Sequence, residues 1–454
     1  MATTLDSEIF RDLFGTERMR AVFDSRRLLQ GWLDAWAALA EAEVGVGIVP
    51  AGAAARIRAV ARAELYDMDA IREGITQGRH VLFPSVRALS EAAGEEAGGY
   101  VHWGATTEDI IDTGLTLQMR DGVALIRQTL VEMIETLARL ALEHRATPMA
   151  ARTHFQHAVP ITFGLKVAVW VDQLRRDLDR IDRGTELAMV GHLGGSAGTL
   201  AALGDAGEDV EREFCRILDL AVPTAPWYAA RDRYAELISA FGMFAATLER
   251  IALEIARLQG NDIGEVAEPL TSTQVGSSTM PQKHNPVNSA RAAAACKLVR
   301  GLVPVMQGLM VIPHERDISA TTAEWLLIPQ SFILLDGALT LVNRVVSGLT
   351  VNTERMRTNL GITRGSIVSE AVMFGLARHL GRMEAHEISM AASRAAAASG
   401  RDLIDVLLEE PRVTSRLTEA ELRDLVDPEK YLGFSTEITE RVGDAALDAL
   451  GKTR

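Results

Sequence analysis

Thr271 to Ala290 reads TSTQVGSSTMPQKHNPVNSA, and the rest of the chain is arranged around it. The stretch is short, polar and rich in Gly and Ser, and it separates two long apolar-periodic runs with helical spacing. Clusters of Ser, Thr, Gly and Asn do not sustain a helix and mark a loop. A loop held in a helical frame carries function more often than packing. Gly276 lets the backbone approach a ligand closely, and Ser277 and Ser278 add two hydroxyls. Met280-Pro281 stiffens the turn, and Lys283 sets a compact cation six residues beyond Ser277. Asn285 offers an amide, and Pro286 suits the first turn of the following helix. A plain surface connector has the same composition, so composition alone leaves both readings open.

Outward from the loop the chain reads as helix. Met119, Val123, Ile126, Leu130, Met133, Leu137 and Leu140 step alternately by four and three, as do Leu237, Phe241, Phe244, Leu248, Ile251, Ile255 and Leu258. Such spacing over three heptads predicts long helices packed nearly parallel in a bundle. Further long helices are expected over Thr162–Arg183, Val287–Leu309 and Thr321–Leu349, the last kinked at Pro329. The expected fold class is all-α. Three parts follow in chain order: 1–103, shorter helices broken at Val49-Pro50-Ala51-Gly52 and Phe83-Pro84; 104–350, the long helices; and 351–454, shorter helices again. Thr418-Glu419-Ala420-Glu421 before Leu422 has the form of a capping box.

At 454 residues the chain can bury a large core. Its net charge of -14, with no basic run, argues against nucleic acid as a partner. Cys215 and Cys296 stand far apart in apolar helical contexts and are expected as core residues rather than a disulfide or zinc ligands. The N-terminus has no charged segment leading into an apolar one, and no run of 18 uncharged apolar residues occurs. A soluble, cytoplasmic protein with no membrane association is expected.

Three more stretches carry chemistry. His102-Trp103-Gly104-Ala105-Thr106-Thr107-Glu108-Asp109 opens a long helix. Free N–H groups and the helix dipole make such an entry a seat for an anion, although N-capping by Thr107 or Asp109 would use the same residues. Arg152-Thr153-His154-Phe155-Gln156-His157 has two histidines three apart. On a helix face such a pair is more often structural, and no carboxylate or Cys completes a metal set. His314-Glu315-Arg316-Asp317-Ile318-Ser319 offers Arg316 either as a bidentate partner for a carboxylate or as one half of a surface ion pair.

GSSTMPQKHNP closely resembles the signature loop GSSxMPxKxNP of the fumarase/aspartase superfamily, and the other three stretches resemble further segments of that family. The resemblance spans nearly the whole chain. It implies three helical domains, a central five-helix bundle, and a homotetramer in which each active site draws on three subunits. It also implies residue roles: Ser277 as catalytic base, His154 as general acid, Thr106 and Thr107 as carboxylate binders. Thr153, Ser278, Lys283, Asn285, Arg316 and His102 complete the substrate-binding set. No metal or organic cofactor is implied. His192-Leu193-Gly194-Gly195 also resembles the family and is read as helix packing.

These residue types fit one kind of reaction. A C–H next to a carboxylate is barely acidic, so its removal needs fixed dipoles and cations around the resulting aci-carboxylate in a dry site. Serine becomes a competent base only beside such cations and donors, within a loop that closes over the substrate. The subfamily signals conflict. Fumarases and adenylosuccinate lyases keep a glutamate where this chain has Ala290, and Ile362 and Ala371 stand where adenylosuccinate lyases carry arginines. Ala290, Arg231-Asp232-Arg233, Ser196–Leu203, Asp427-Pro428 and Tyr431-Leu432-Gly433 lean toward 3-carboxy-cis,cis-muconate cycloisomerases, which usually lack the histidine kept here as His154. The leading expectation is β-elimination from a substituted succinate, of N-substituted aspartate or nitrosuccinate type, releasing fumarate. The alternative is lactonisation of a carboxymuconate. The substrate is a small di- or tricarboxylate in either case. A catalytically inactive scaffold remains open as a different class of function, and the absence of any Gly-rich phosphate motif disfavours a nucleotide-binding module.

Overall fold

The computed structural model describes residues 4–270, 279–280 and 282–453. Helix dominates, with four short strands in two antiparallel pairs among the described residues. The elements used below are α1 (Ser25–Val44), α2 (Thr107–Glu143), β1 (Pro148–Thr153), β2 (Gln156–Thr162) and α3 (Phe163–Ala188). They continue with α4 (Asp232–Leu258), β3 (Val266–Ala267), α5 (Val287–Gly308), α6 (Ile318–Ser347), β4 (Thr350–Val351), α7 (Ser369–Leu380) and α8 (Arg382–Ser399).

The heptad series explain the long helices. All seven residues of the α4 series are buried, and in α2 only Leu140 is partly exposed. Each large apolar side chain removed from water contributes roughly 1.5–3 kcal/mol, so stripes of this length hold 27- and 37-residue helices whatever their local propensity. Helix α6 runs unbroken through Pro329. It is also long and apolar enough to cross a membrane by length and composition, but 61% of its most apolar window is buried inside the protein, as a core helix would be. Both cysteines are free and buried, as expected.

Compact packing divides the chain into two discontinuous units: 1–129, 177–249 and 291–340 form one, and 130–176, 250–290 and 341–454 the other. In the first, α1 lies against the start of α2 where Gly31 meets Gly114. A Cβ on Gly31 would come 3.1 Å from the Gly114 Cα, so this crossing depends on two glycines. In the second, β1 and β2 pair from Pro148↔Thr162 to Thr153↔Gln156, with an irregularity between Ala150 and Arg152. A separate apolar cluster including Val372, Leu376, Ile388, Leu403 and Leu407 forms a core of its own. The capping box is present: Thr418 Oγ1 accepts from the Glu421 N–H at 3.3 Å, and Glu421 accepts from the Thr418 N–H at 2.8 Å.

Candidate active site

In the first unit, α2 begins at Thr107, which makes Thr106 its N-cap. The Thr106 N–H donates to Asp109 Oδ2 at 2.8 Å. Asp109 is fully buried and takes three more donors: Gly194 N–H at 3.1 Å, Gly195 N–H at 3.1 Å and the Tyr228 hydroxyl at 2.5 Å. A buried carboxylate is costly unless hydrogen-bonded, and these donors are what allow it to stay. Burial still holds its pKa above the ordinary value, against the pull of His192 and the hydrogen bonds. The expectation that His192–Gly195 serves helix packing is therefore corrected. The segment lies beyond the end of α3 and turns its backbone N–H groups onto Asp109.

Gly104, at φ 68°, brings the entry loop so close to Leu203 that a Cβ would lie 2.5 Å from its side chain. Upstream, His102 has φ 65°, and its Nδ1 accepts the Trp36 indole N–H at 3.0 Å. That bond leaves the proton on Nε2. Burial, and secondarily the charge of His80, pull the His102 pKa down to about 4, so the ring is neutral near pH 7.

Arg316 completes this group. Nη1 donates to Thr106 Oγ1 at 3.2 Å and Nη2 to the Ser196 carbonyl at 2.8 Å, while Nε lies 3.3 Å from Glu108 Oε2. Its guanidinium sits 5.3 Å from the Tyr228 ring centroid. It is thus seated against a hydroxyl already read as carboxylate-binding. Glu108 Oε1 accepts from Thr321 at 2.8 Å. Burial first, then the neighbouring Asp112 carboxylate, raise the Glu108 pKa to about 7, against Thr321, Arg231 and Arg316.

Behind lies a charge cluster that sequence reasoning did not find. Arg231 is buried and bonds Asp112 at 2.6 and 3.1 Å and Glu324 Oε1 at 2.9 Å, with a further bond from Nη2 to Glu324 Oε2. His192 Nδ1 is 2.9 Å from Asp112, and its ring stacks on Trp227 at 4.1 Å. Burial would raise the Asp112 pKa, but Arg231 and His192 outweigh it and hold it low. Burial prevails at Glu324, which is raised. Removing one member of such a cluster leaves an uncompensated buried charge, at a cost of about 3–5 kcal/mol.

In the second unit, Arg152–His157 is a β-hairpin rather than a helix face. Thr153 pairs with Gln156, and His154 and Phe155 form the two-residue tip at φ 51° and 64°. Both lie in the left-handed region that a type I′ turn requires. Prolines at 148 and 160 and β-branched Val159, Ile161 and Thr162 explain why the segment is extended. Arg152 anchors the hairpin through two bonds to Glu265, at 2.9 and 2.6 Å, and Asn359 bonds the same carboxylate at 2.7 Å. A cavity of about 400 Å³ opens here, lined by Arg152, His154, His157, Arg257 and Asn359 among others. Burial, then Arg152, lower the His157 pKa. Among the described residues no hydrogen-bond partner holds the His154 ring.

Ser277 and Ser278, with Gly276 and Pro281, lie outside the described residues. Lys283 is exposed, and its N–H donates to the Met280 carbonyl at 3.0 Å. Helix α5 starts at Val287, so Pro286 is its N-cap rather than part of its first turn. The Glu268 carboxylate takes the Ser289 and Asn288 N–H groups at 2.8 and 3.2 Å. Gln259 bonds the His284 carbonyl at 3.0 Å and the Glu268 N–H at 2.9 Å. The loop is thus tied down at its exit, where Asn285 lies. Ala290 is exposed. By their place in the chain and its elements the candidates form three groups: Thr106 and Thr107 at the start of α2, met by Arg316, with His102 on the adjoining loop; Thr153 and His154; Lys283 and Asn285.

An all-α frame with Arg316 set against Thr106, a histidine-tipped hairpin and a GSS-type loop is that of a lyase of the fumarase/aspartase superfamily, and the chain belongs to that family. Residues 14–301 match the family model described as Lyase, and 365–442 match adenylosuccinate lyase C-terminus. The chain is 42% identical to 3-carboxy-cis,cis-muconate cycloisomerase of Pseudomonas aeruginosa, over 96% of this chain and 95% of that one. It is 36% identical to N-acetyl-S-(2-succino)cysteine lyase of Enterococcus italicus, over 96% of each. The crystal structure of the 3-carboxy-cis,cis-muconate lactonizing enzyme of Pseudomonas putida superposes with a TM-score of 0.91 at 38% identity, covering 97% of this chain and 99% of that one.

Proposed function

We propose that this lyase interconverts 3-carboxy-cis,cis-muconate and its lactone, the reading that stood second on sequence grounds. Full-length similarity to enzymes named for that reaction supports it. The observation that carries it is Ala290, exposed, at the position where fumarases and adenylosuccinate lyases keep the glutamate that orients the acid histidine. A histidine without an orienting carboxylate is a poor proton relay. Lactone opening suits such a site, because its leaving group is a carboxylate that departs without a proton. In the closing direction a substrate carboxylate oxygen bonds to an alkene carbon. The electron pair moves toward a second carboxylate, and the carbon beside that carboxylate takes a proton from Ser277. Arg316, Thr106 and Thr107 hold one carboxylate, and Lys283 and Asn285 stabilise the aci-carboxylate, with Thr153, Ser278 and His102 shaping the site. The working enzyme is a cytoplasmic homotetramer with shared active sites and the three-part division 1–103, 104–350 and 351–454.

The second reading, elimination from a substituted succinate to give fumarate, is favoured by the retention of His154 and by the succinocysteine lyase relative. Incubation with carboxymuconate and, separately, with N- and S-substituted succinates separates the two. Loss of diene absorbance with lactone formation supports the first; fumarate release with no lactone overturns it. Ser277→Ala should abolish turnover while circular dichroism and assembly are unchanged; wild-type rates would remove Ser277 from the base role. His154→Asn should retain substantial lactonising activity, and complete loss would show that a general acid is required.

A further inference from the structure

A second cavity, about 670 Å³, opens between α7 and α8, and none of the catalytic candidates lines it. On α8, His386, Ser389, Met390, Ser393 and Arg394 face it, at successive steps of three and one. That is one helical stripe, while Ala385, Ile388, Ala392 and Ala396 bury the helix in the apolar core. Among the described residues neither Arg394 nor His386 has an ion pair or side-chain hydrogen bond. Ser393 Oγ is shut off from solvent and also lacks a partner. Arg394 itself is exposed to the cavity, so its unpaired guanidinium is the group a ligand would meet. The one acidic lining residue, Glu370, takes the Tyr431 hydroxyl at 3.1 Å. Met373 supplies apolar lining on α7, opposite Met390.

We propose that this cavity is a binding site for a small organic monocarboxylate with a flat apolar body. The Arg394 guanidinium takes the carboxylate in a charge-assisted fork. The two methionine thioethers pack against the ligand's body, as polarisable sulfur does against aromatic rings. The Glu370 carboxylate repels a ligand of higher negative charge, which sets this site apart from the arginine–threonine seat that serves di- and tricarboxylates.

Benzoate titrated into the full-length protein by calorimetry tests the proposal, with inorganic phosphate and benzyl alcohol as the other probes. Benzoate should bind, and Arg394→Ala should weaken it by roughly tenfold to a hundredfold, the range for a lost charge-assisted hydrogen bond. Ser393→Ala, at a hydroxyl the cavity does not reach, should leave it unchanged. Arg316→Ala should leave benzoate binding intact, and Arg394→Ala should leave basal turnover intact. Binding lost on Arg316→Ala and kept on Arg394→Ala would assign benzoate to the catalytic seat and overturn the proposal. So would phosphate or benzyl alcohol binding as tightly as benzoate, or no benzoate binding at all.

Discussion

In the proposed anion seat, the ionisation of Glu108 sets what Arg316 can bind. Arg316 lies against the Thr106 hydroxyl, yet it also faces Glu108 at 3.3 Å. With the Glu108 pKa raised to about 7, the carboxyl is neutral below that pH, which on the proposed reading leaves Arg316 free to pair with a substrate carboxylate. Above it, Glu108 ionises and competes for the guanidinium. Substrate affinity should therefore fall as pH rises through about 7, and Glu108→Gln should remove that step from the pH profile of KM with little change in kcat. An identical step in the variant would assign the titration to another group. Arg316 and Thr106 stood out in the sequence because each sits inside a short ordered motif, and the structure places them 3.2 Å apart. The burial of Asp109 was not legible there, because three of its four donors come from residues 85, 86 and 119 positions away. The same distance hid the Arg231 cluster: an Arg-Asp-Arg triplet says nothing about which carboxylates it will meet in the core.

Elements divide along the same line. Long helices with sustained heptads were readable almost to their ends, since burial of a continuous stripe dominates every local preference. The hairpin of β1 and β2 was not read, because a six-residue polar motif has no period long enough to separate strand from helix. Its tip is also atypical, since two-residue turns with both φ values positive favour Asn-Gly, and here they are His154-Phe155. Phe155 is 81% exposed, with the Arg257 guanidinium 5.4 Å from its ring centroid, so little burial offsets the strain. A non-glycine residue in the left-handed region costs roughly 1–2 kcal/mol. Phe155→Gly should therefore raise stability by about 0.5–1 kcal/mol in urea unfolding, after the larger entropy loss of glycine. If turnover drops at the same time, the strained tip is part of how His154 is presented. If stability falls instead, the Arg257 contact outweighs the strain.

On the scale of the whole molecule, the compact units interleave three segments each, whereas a sequence can only be cut in chain order. Binary patterning locates buried stripes but not which stripes share a core, and it gives no warning of a charge placed inside one. Glu43, on α1, is 0% exposed, and neither carboxyl oxygen has a partner among the described residues. Burial raises its pKa from 4.5 to about 8. The folded protein therefore keeps the proton while the unfolded chain releases it above 4.5. The stability tied to the neutral group is fully present below 4.5 and lost progressively as pH climbs toward 8, by up to about 5 kcal/mol in total. Glu43→Gln cannot ionise, so its advantage over the wild type should be small near pH 4.5 and grow steadily to pH 8, read as the difference in Tm between the two proteins at each pH. Taking that difference cancels every other titrating group common to both. Two Tm curves running parallel across the window would mean that water or a polar neighbour solvates the carboxylate in the folded state. A gap that widens with pH would identify Glu43 as a group that ties the stability of this core to its protonation.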